Sequence, residues 1–259
     1  MTYDNKLVLV EISDKVAILT LNRPPLNILT LELTAELRKT LHAVENDGRV
    51  RVVVLTGAGE RAFCAGADIK EFPSVWDDVI NKKLLNENLA VDEIELLEKP
   101  VIAAIEGNVL GGGCEIALAC DIRIMSEEGR IGLPEINLGV FPGSGGLYRL
   151  ARHVGLSRAY EMLYTGKILT AAEAREMGLV NHLVPPGQSL RKAGELAGII
   201  ASKPFEAIKM IKKGVRVLWQ KSTEENFRTN LEFSKQIFKT DDCAEGVDAF
   251  IQKRPPRFT

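Results

Sequence analysis

Apolar and polar residues alternate from Leu7 to Ile12 and again from Val16 to Leu21. A period of two predicts an antiparallel strand pair, turned at Ser13-Asp14-Lys15. Arg23-Pro24-Pro25 ends the second strand, because proline has no N–H to give a ladder. The period then changes. Leu33, Leu37, Leu41 and Val44 recur at helical spacing over Leu31–Val44, and Asn46-Asp47-Gly48 stops that helix. Val50–Leu55 is β-branched and nearly continuous, as expected for a strand covered on both faces.

A similar unit follows: a long polar helix over about Trp76–Glu98, ended by Pro100, and then a buried strand Val101–Ile105. Gly111-Gly112-Gly113 opens a helix over Cys114–Cys120, and Ile122–Met125 returns as a strand. Such alternation predicts an α/β layer rather than a sandwich or bundle. The units share no convincing sequence self-similarity, so the repeat is structural. After about residue 190 the strands stop, and 189–201, 204–219, 222–239 and 243–253 all read as helices. Pro204 marks one start and Thr240-Asp241-Asp242 caps the last. The chain therefore divides into an α/β core, 1–190, and a C-terminal helical region, 191–259, that packs on the core or on a neighbouring subunit.

Composition narrows the function classes. The 259 residues carry 33 Lys+Arg against 35 Asp+Glu, a net charge of −2, which offers no general attraction for nucleic acid or an anionic membrane. No apolar run approaches the roughly 20 residues of a membrane span. The N-terminal MTYDNKLVLVEISDKV has neither a signal peptide's basic and apolar regions nor the composition of a transit peptide. A cytoplasmic protein, or a matrix protein already trimmed, is expected. Cys64, Cys114, Cys120 and Cys243 show no CxxC spacing, and His42, His153 and His182 are far apart, so neither a disulfide scaffold nor a metal site is expected. Gly57–Ala62 matches a relaxed dinucleotide fingerprint without the helix that must follow it. Gly166-Lys167 lacks the P-loop Ser or Thr, and Gly143-Ser144-Gly145 is not a nucleophile elbow.

Ile105–Asp121 (IEGNVLGGGCEIALACD) is the segment richest in candidate chemistry. Three glycines before an apolar helix leave backbone N–H groups bare at its N-terminus, where a developing oxyanion can bind. The same glycines would equally let the helix pack closely against the preceding strand. Glu115, three residues after Gly112, lies on nearly the same face among apolar neighbours, and burial would raise its pKa. A second carboxylate, Glu135, stands in Gly132-Leu133-Pro134-Glu135-Ile136. Two carboxylates near oxyanion donors can divide acid and base roles when their pKa values differ. Ala62–Glu71 carries small residues where a backbone could approach a ligand, or forms a tight loop with Asp68 as a cap.

Together these residues resemble the crotonase, or enoyl-CoA hydratase/isomerase, superfamily over nearly the whole chain. Cys64-Ala65-Gly66-Ala67-Asp68-Ile69-Lys70 looks like its AGAD loop, and Gly111-Gly112-Gly113-Cys114-Glu115 like its GGGCE helix start. Gly132-Leu133-Pro134-Glu135 and Phe141-Pro142-Gly143-Ser144-Gly145-Gly146 look like its second-glutamate and PG-x-GG segments. The resemblance implies a spiral of ββα units with a C-terminal helical trimerisation region, assembled as a homotrimer or dimer of trimers. It implies an acyl-CoA substrate and no cofactor. The amides of Ala67 and Gly112 would hold the thioester oxygen; Leu26, Ala65, Ala67, Asp68, Ile69, Lys70, Gly111, Gly112, Pro134 and Gly143 would contact CoA or substrate. Phe250 and Lys253 would reach CoA from the C-terminal region, in some members from a neighbouring subunit.

Hydratases of the superfamily keep both glutamates, and both are present here. The implied reaction is reversible hydration of a 2-enoyl-CoA to a 3-hydroxyacyl-CoA, with Glu115 as base and Glu135 delivering the proton. Alternatives are another crotonase reaction, double-bond isomerisation or cyclic dienoyl-CoA hydration, or a non-catalytic binding module. Asn22–Asn27 departs from the family in being one residue shorter and lacking its frequent lysine, and Phe72–Leu89 covers the region that shapes the acyl pocket.

Overall fold

The computed structural model describes residues 3, 5–218 and 222–259. Strands β1 (Val8–Ser13) and β2 (Val16–Leu21) pair antiparallel, with Val8 opposite Leu21 and Ser13 opposite Val16. Helix α1 (Leu31–Glu45) follows, capped by the Thr30 side chain, which accepts the Leu33 N–H. Its apolar stripe buries Leu33, Leu37, Leu41 and Val44, each such burial contributing about 1.5–3 kcal/mol.

Three ββα turns build the centre. Strands β3 (Val52–Gly57) and β4 (Ala62–Cys64) lead into α2 (Phe72–Val75) and α3 (Leu85–Leu96). Strands β5 (Val101–Ile105) and β6 (Asn108–Leu110) lead into α4 (Gly112–Ala119). Strands β7 (Ile122–Ser126) and β8 (Arg130–Gly132) lead into α5 (Gly146–Val154) and α6 (Leu156–Thr165). The chain continues through β9 (Ile168–Thr170), α7 (Ala171–Glu176) and β10 (His182–Val184). Each turn gives one strand to a six-stranded sheet, β1-β2-β3-β5-β7-β10, and one to a four-stranded sheet, β4-β6-β8-β9. The mixed α/β class read from the sequence is the one observed.

Alternation along the central strands explains their continuous apolar pattern. Val53, Leu55, Ala103 and Ile105 face the main core with α1, α3 and α4, whereas Val52, Val54, Ile102 and Ala104 face the opposite side. That side is sealed by α8 (Ser189–Ala201), whose Ala193, Ala197 and Ala201 recur one turn apart and let the helix lie close to the sheet. Beyond it come α9 (Phe205–Leu218), α10 (Thr223–Ile237) and α11 (Asp241–Ile251), the last capped by Thr240. The expected end of the third-last helix at Trp219 lies outside the described residues, as do Met1, Thr2 and Asp4 of the N-terminal segment.

The long helix expected over Trp76–Glu98 is broken. Short 3₁₀ turns occupy Ile69–Glu71 and Trp76–Asp78, a π turn occupies Ile80–Leu84, and regular α-helix begins only at Leu85. The physical reason is a fully buried Lys83, which the irregular turn directs inward. Cys64, Cys114 and Cys120 are buried free thiols, and Cys243 is half-buried. Among the described residues no helix is long and apolar enough to cross a membrane.

Candidate active site

The site forms where the loop after β4 meets the N-terminus of α4. Gly113 makes that meeting possible: a Cβ there would lie 2.1 Å from the Cys64 carbonyl oxygen, so only glycine lets the helix touch β4. Close packing and open amides are thus both served by the same glycine run. A Cβ on Gly112 would lie 3.8 Å from the Ala67 amide nitrogen and 4.0 Å from Glu115 Oε2. One built on Gly111 would lie 3.3 Å from Glu135 Oε1. The two amides and two carboxylates singled out in the sequence therefore surround one space.

Ala67 is held by a bridge to Leu29: the Leu29 N–H donates to the Gly66 carbonyl, and the Asp68 N–H donates to the Leu29 carbonyl, both at 2.8 Å. This pairing uses the amides on either side of Ala67 and leaves its own N–H without a partner among the described residues. The Gly112 N–H, in the first turn of α4, is likewise unpaired. Two bare donors beside a helix N-terminus make a cradle for negative charge on a carbonyl oxygen.

Glu115 is 3% exposed. Its Oε1 accepts the Ser144 N–H at 2.7 Å and the Gly146 N–H at 2.8 Å, while among the described residues Oε2 carries no hydrogen bond. Burial pushes its pKa up to about 7, against the pull of the Gly146 amide; the charge of Glu135 pushes it further. Glu135 opens the 3₁₀ turn Glu135–Leu138, where its Oε2 is buried without a partner. Burial raises its pKa too. The arrangement is two carboxylates whose pKa values burial raises, that of Glu115 to about 7, beside a pair of amide donors. It suits proton transfer to and from a substrate whose carbonyl those donors polarise.

The other expected contacts fall into two groups. Leu26 and Ala65 are joined, the Ala65 N–H donating to the Leu26 carbonyl at 2.9 Å. Asp68 caps the following turn by accepting the Lys70 N–H, and lies 3.6 Å from Arg23; Ile69 and Lys70 are exposed beside it. Pro134 precedes Glu135, and the Gly143 carbonyl accepts from Asn88 at 2.9 Å. These residues lie on the loops that carry Ala67, Glu135 and Ser144, or pair with them. Phe250 and Lys253 lie at the end of α11, where Phe250 is 84% exposed and shares an apolar groove with Pro204, Val247 and Phe258. Among the described residues neither makes a hydrogen bond or ion pair to the site loops.

The Ser144 and Gly146 amides were not singled out by residue-level reasoning, because a backbone donor leaves no side-chain signature. The Gly145-Gly146 doublet was their signal: a Cβ on Gly146 would lie 3.0 Å from Glu115 Oε1 and 2.7 Å from Pro142 Cβ.

Comparison with known proteins identifies the family. The family model described as Enoyl-CoA hydratase/isomerase matches residues 11–259. A short-chain-enoyl-CoA hydratase of Clostridium acetobutylicum is 41% identical, with 95% of each chain covered. A crotonyl-CoA hydratase of Syntrophomonas wolfei is 36% identical over 100% of this chain and 99% of its own. The crystal structure of an enoyl-CoA hydratase from Bacillus anthracis superposes with a TM-score of 0.94 at 38% identity, covering 98% of this chain and 99% of that one. A match along nearly its whole length places the chain in the enoyl-CoA hydratase/isomerase family.

Proposed function

We propose that the protein reversibly hydrates a 2-enoyl-CoA to a 3-hydroxyacyl-CoA. The observation that carries this reading is Glu115, whose Oε1 is fixed by two amides while its Oε2 remains unbonded beside Ala67 and Gly112. The thioester oxygen accepts from the Ala67 and Gly112 N–H groups, which draws electron density from C3. Glu115 Oε2 takes a proton from water as the water oxygen bonds to C3. The C2–C3 π pair moves into an enolate-like thioester, and Glu135 gives its proton to C2. The net change is addition of H and OH, with the two carboxylates titrating as a coupled pair between turnovers. No metal or redox cofactor takes part in these steps.

CoA lies along Leu26, Ala65, Asp68, Ile69 and Lys70, with Gly111, Pro134 and Gly143 near the acyl end. Phe250 and Lys253 approach from the C-terminal region, their own or a neighbour's. A trimer or dimer of trimers is supported by the apolar residues that the C-terminal helical region exposes, including Ile211, Val215, Phe227, Phe238 and Ile251.

The test is turnover of crotonyl-CoA, longer 2-enoyl-CoAs and a cyclic dienoyl-CoA, followed by loss of enone-thioester absorbance with product identification. Hydration that Glu115→Gln and Glu135→Gln both leave unchanged would sink the mechanism. Saturable CoA-ester binding without turnover of any substrate would favour the binding module.

A further inference from the structure

Lys83 belongs to a buried ionic cluster that the hydration chemistry leaves unused. Its side chain is fully buried, with Nζ 2.8 Å from Glu71 Oε2 and 3.1 Å from Glu87 Oε1, beside the Phe72 ring. A lysine removed from water is unfavourable unless paired, and here two carboxylates answer one ammonium. Glu71 does more than neutralise it. Its carboxylate also accepts the Leu31 N–H, at 3.2 and 3.1 Å from its two oxygens. Leu31 begins α1 two residues after Leu29, the residue that brackets Ala67 through the Gly66 carbonyl and the Asp68 N–H.

A closed chain of contacts results. It runs from Ala67 along the turn to Glu71, across to Leu31, back through Leu29 to the residues on either side of Ala67, and Lys83 pins it from the side of α3. We propose that Lys83 is a positioning residue that fixes the direction of the Ala67 N–H, acting through Glu71 and supported by Glu87. The proposal rests on the reading of Ala67 as a donor to the thioester oxygen. Oxyanion donors act only when aimed at the charge that develops, and a displacement of about 1 Å can cost on the order of 10²-fold in rate. Glu87, seven-percent exposed, keeps the ammonium in place from α3 and is near enough to Glu115 for its charge to act there.

Lys83→Met alone leaves Glu71 and Glu87 without their cation and endangers the fold. The test therefore uses two other variants of the full chain, Lys83→Met/Glu87→Gln and Glu71→Ala, each checked for folding by circular dichroism. On crotonyl-CoA, kcat falls about 30–100-fold with KM within about threefold of the parent. A second readout needs no turnover: both changes are placed in a Glu115→Gln background, and the red shift of the enone-thioester absorbance on binding is recorded. The shift shrinks while Kd stays within about threefold. Folded variants that keep both the parent's kcat and its red shift overturn the proposal alone. A Glu115→Gln parent that binds enoyl-CoA with no red shift overturns it together with the donor reading of Ala67.

Discussion

Gly146 gives its N–H to Glu115 Oε1 at 2.8 Å, and a Cβ on the same residue would stand 3.0 Å from that oxygen. The glycine thus holds the carboxylate and also makes room for it. Gly146→Ala forces the carboxylate or Pro142 aside, since the added carbon would also lie 2.7 Å from Pro142 Cβ. The expected result is a fall of about 10²-fold in kcat for enoyl-CoA hydration, with the fold retained by circular dichroism. An alanine variant as active as the parent would show that Glu115 and Pro142 make room for the methyl group without losing the carboxylate's orientation.

The two carboxylates predict a graded loss. On the proposed mechanism Glu115→Gln removes the base and Glu135→Gln the proton donor, each expected to cost about 10²–10⁴-fold in rate. In the Glu115 variant, the amide NH₂ meets two backbone donors unless the side chain turns its oxygen toward Ser144 and Gly146. With that oxygen so committed, only a non-basic NH₂ remains to face the water. CoA-ester affinity is expected to change less than fivefold in both variants, measured by calorimetry with a non-hydratable thioester.

The pH dependence follows from burial. Glu115 must be ionised to act as base, so kcat/KM is expected to fall as pH drops through about 7, the value to which burial raises it. Stability has the opposite sign. The folded pKa lies above the ordinary 4.5, so this group's contribution is fully present below pH 4.5 and is lost as pH rises through about 7. The loss is about 3 kcal/mol. Denaturant titrations at pH 5 and pH 8 check this, because Glu115→Gln should be less sensitive to that change than the parent.

How much of this was legible in the sequence depended on the range of the interaction. Helix α1 and the central strands β3 and β5 follow from local periodicity, because their burial is dictated by residues two to four positions apart. The loop around Ala67 and the α4 start at Gly112 were legible as motifs, since glycines mark close backbone approach. The three-residue strands β4, β6, β8 and β9 are too short to show a period of two. Lys83 in a polar stretch reads as solvent-facing, and its burial depends on Glu71 in a separate turn. The same holds for Lys99, buried to donate to the Val44 carbonyl in the last turn of α1 and the Asp47 carbonyl just beyond it.

Arg123 is the sharpest case of that kind, a guanidinium inside the apolar strand β7. It donates to the Ala117 and Cys120 carbonyls at 3.2 and 2.6 Å, closing the C-terminus of α4, and to the Leu179 carbonyl at 2.7 Å. The Ala117 carbonyl also accepts the Cys120 N–H, whereas among the described residues the Cys120 and Leu179 carbonyls, at a helix end and in a loop, have no other donor. Arg123→Leu keeps apolar bulk but strands two buried acceptors, the Cys120 and Leu179 carbonyls, at an expected cost of about 3 kcal/mol. For a chain of this size, Tm should fall by roughly 6–12 °C. A second signature comes from His153, whose Nε2–H donates to the Leu118 carbonyl and whose Nδ1, 3.4 Å from the guanidinium, can accept from it only in the neutral ring. Burial first, and then the Arg123 charge, hold this histidine down at about 4. Its contribution is present above pH 6.5 and is lost as pH falls toward 4. With Arg123 gone, the imidazole pKa rises, and the loss of stability between those pH values should shrink. Activity below the transition should stay within about threefold of the parent, because Glu115, at the other end of α4, is fixed by Ser144 and Gly146 rather than by Arg123. A variant that kept its Tm but lost its activity would place Arg123 in the chemistry and contradict this division.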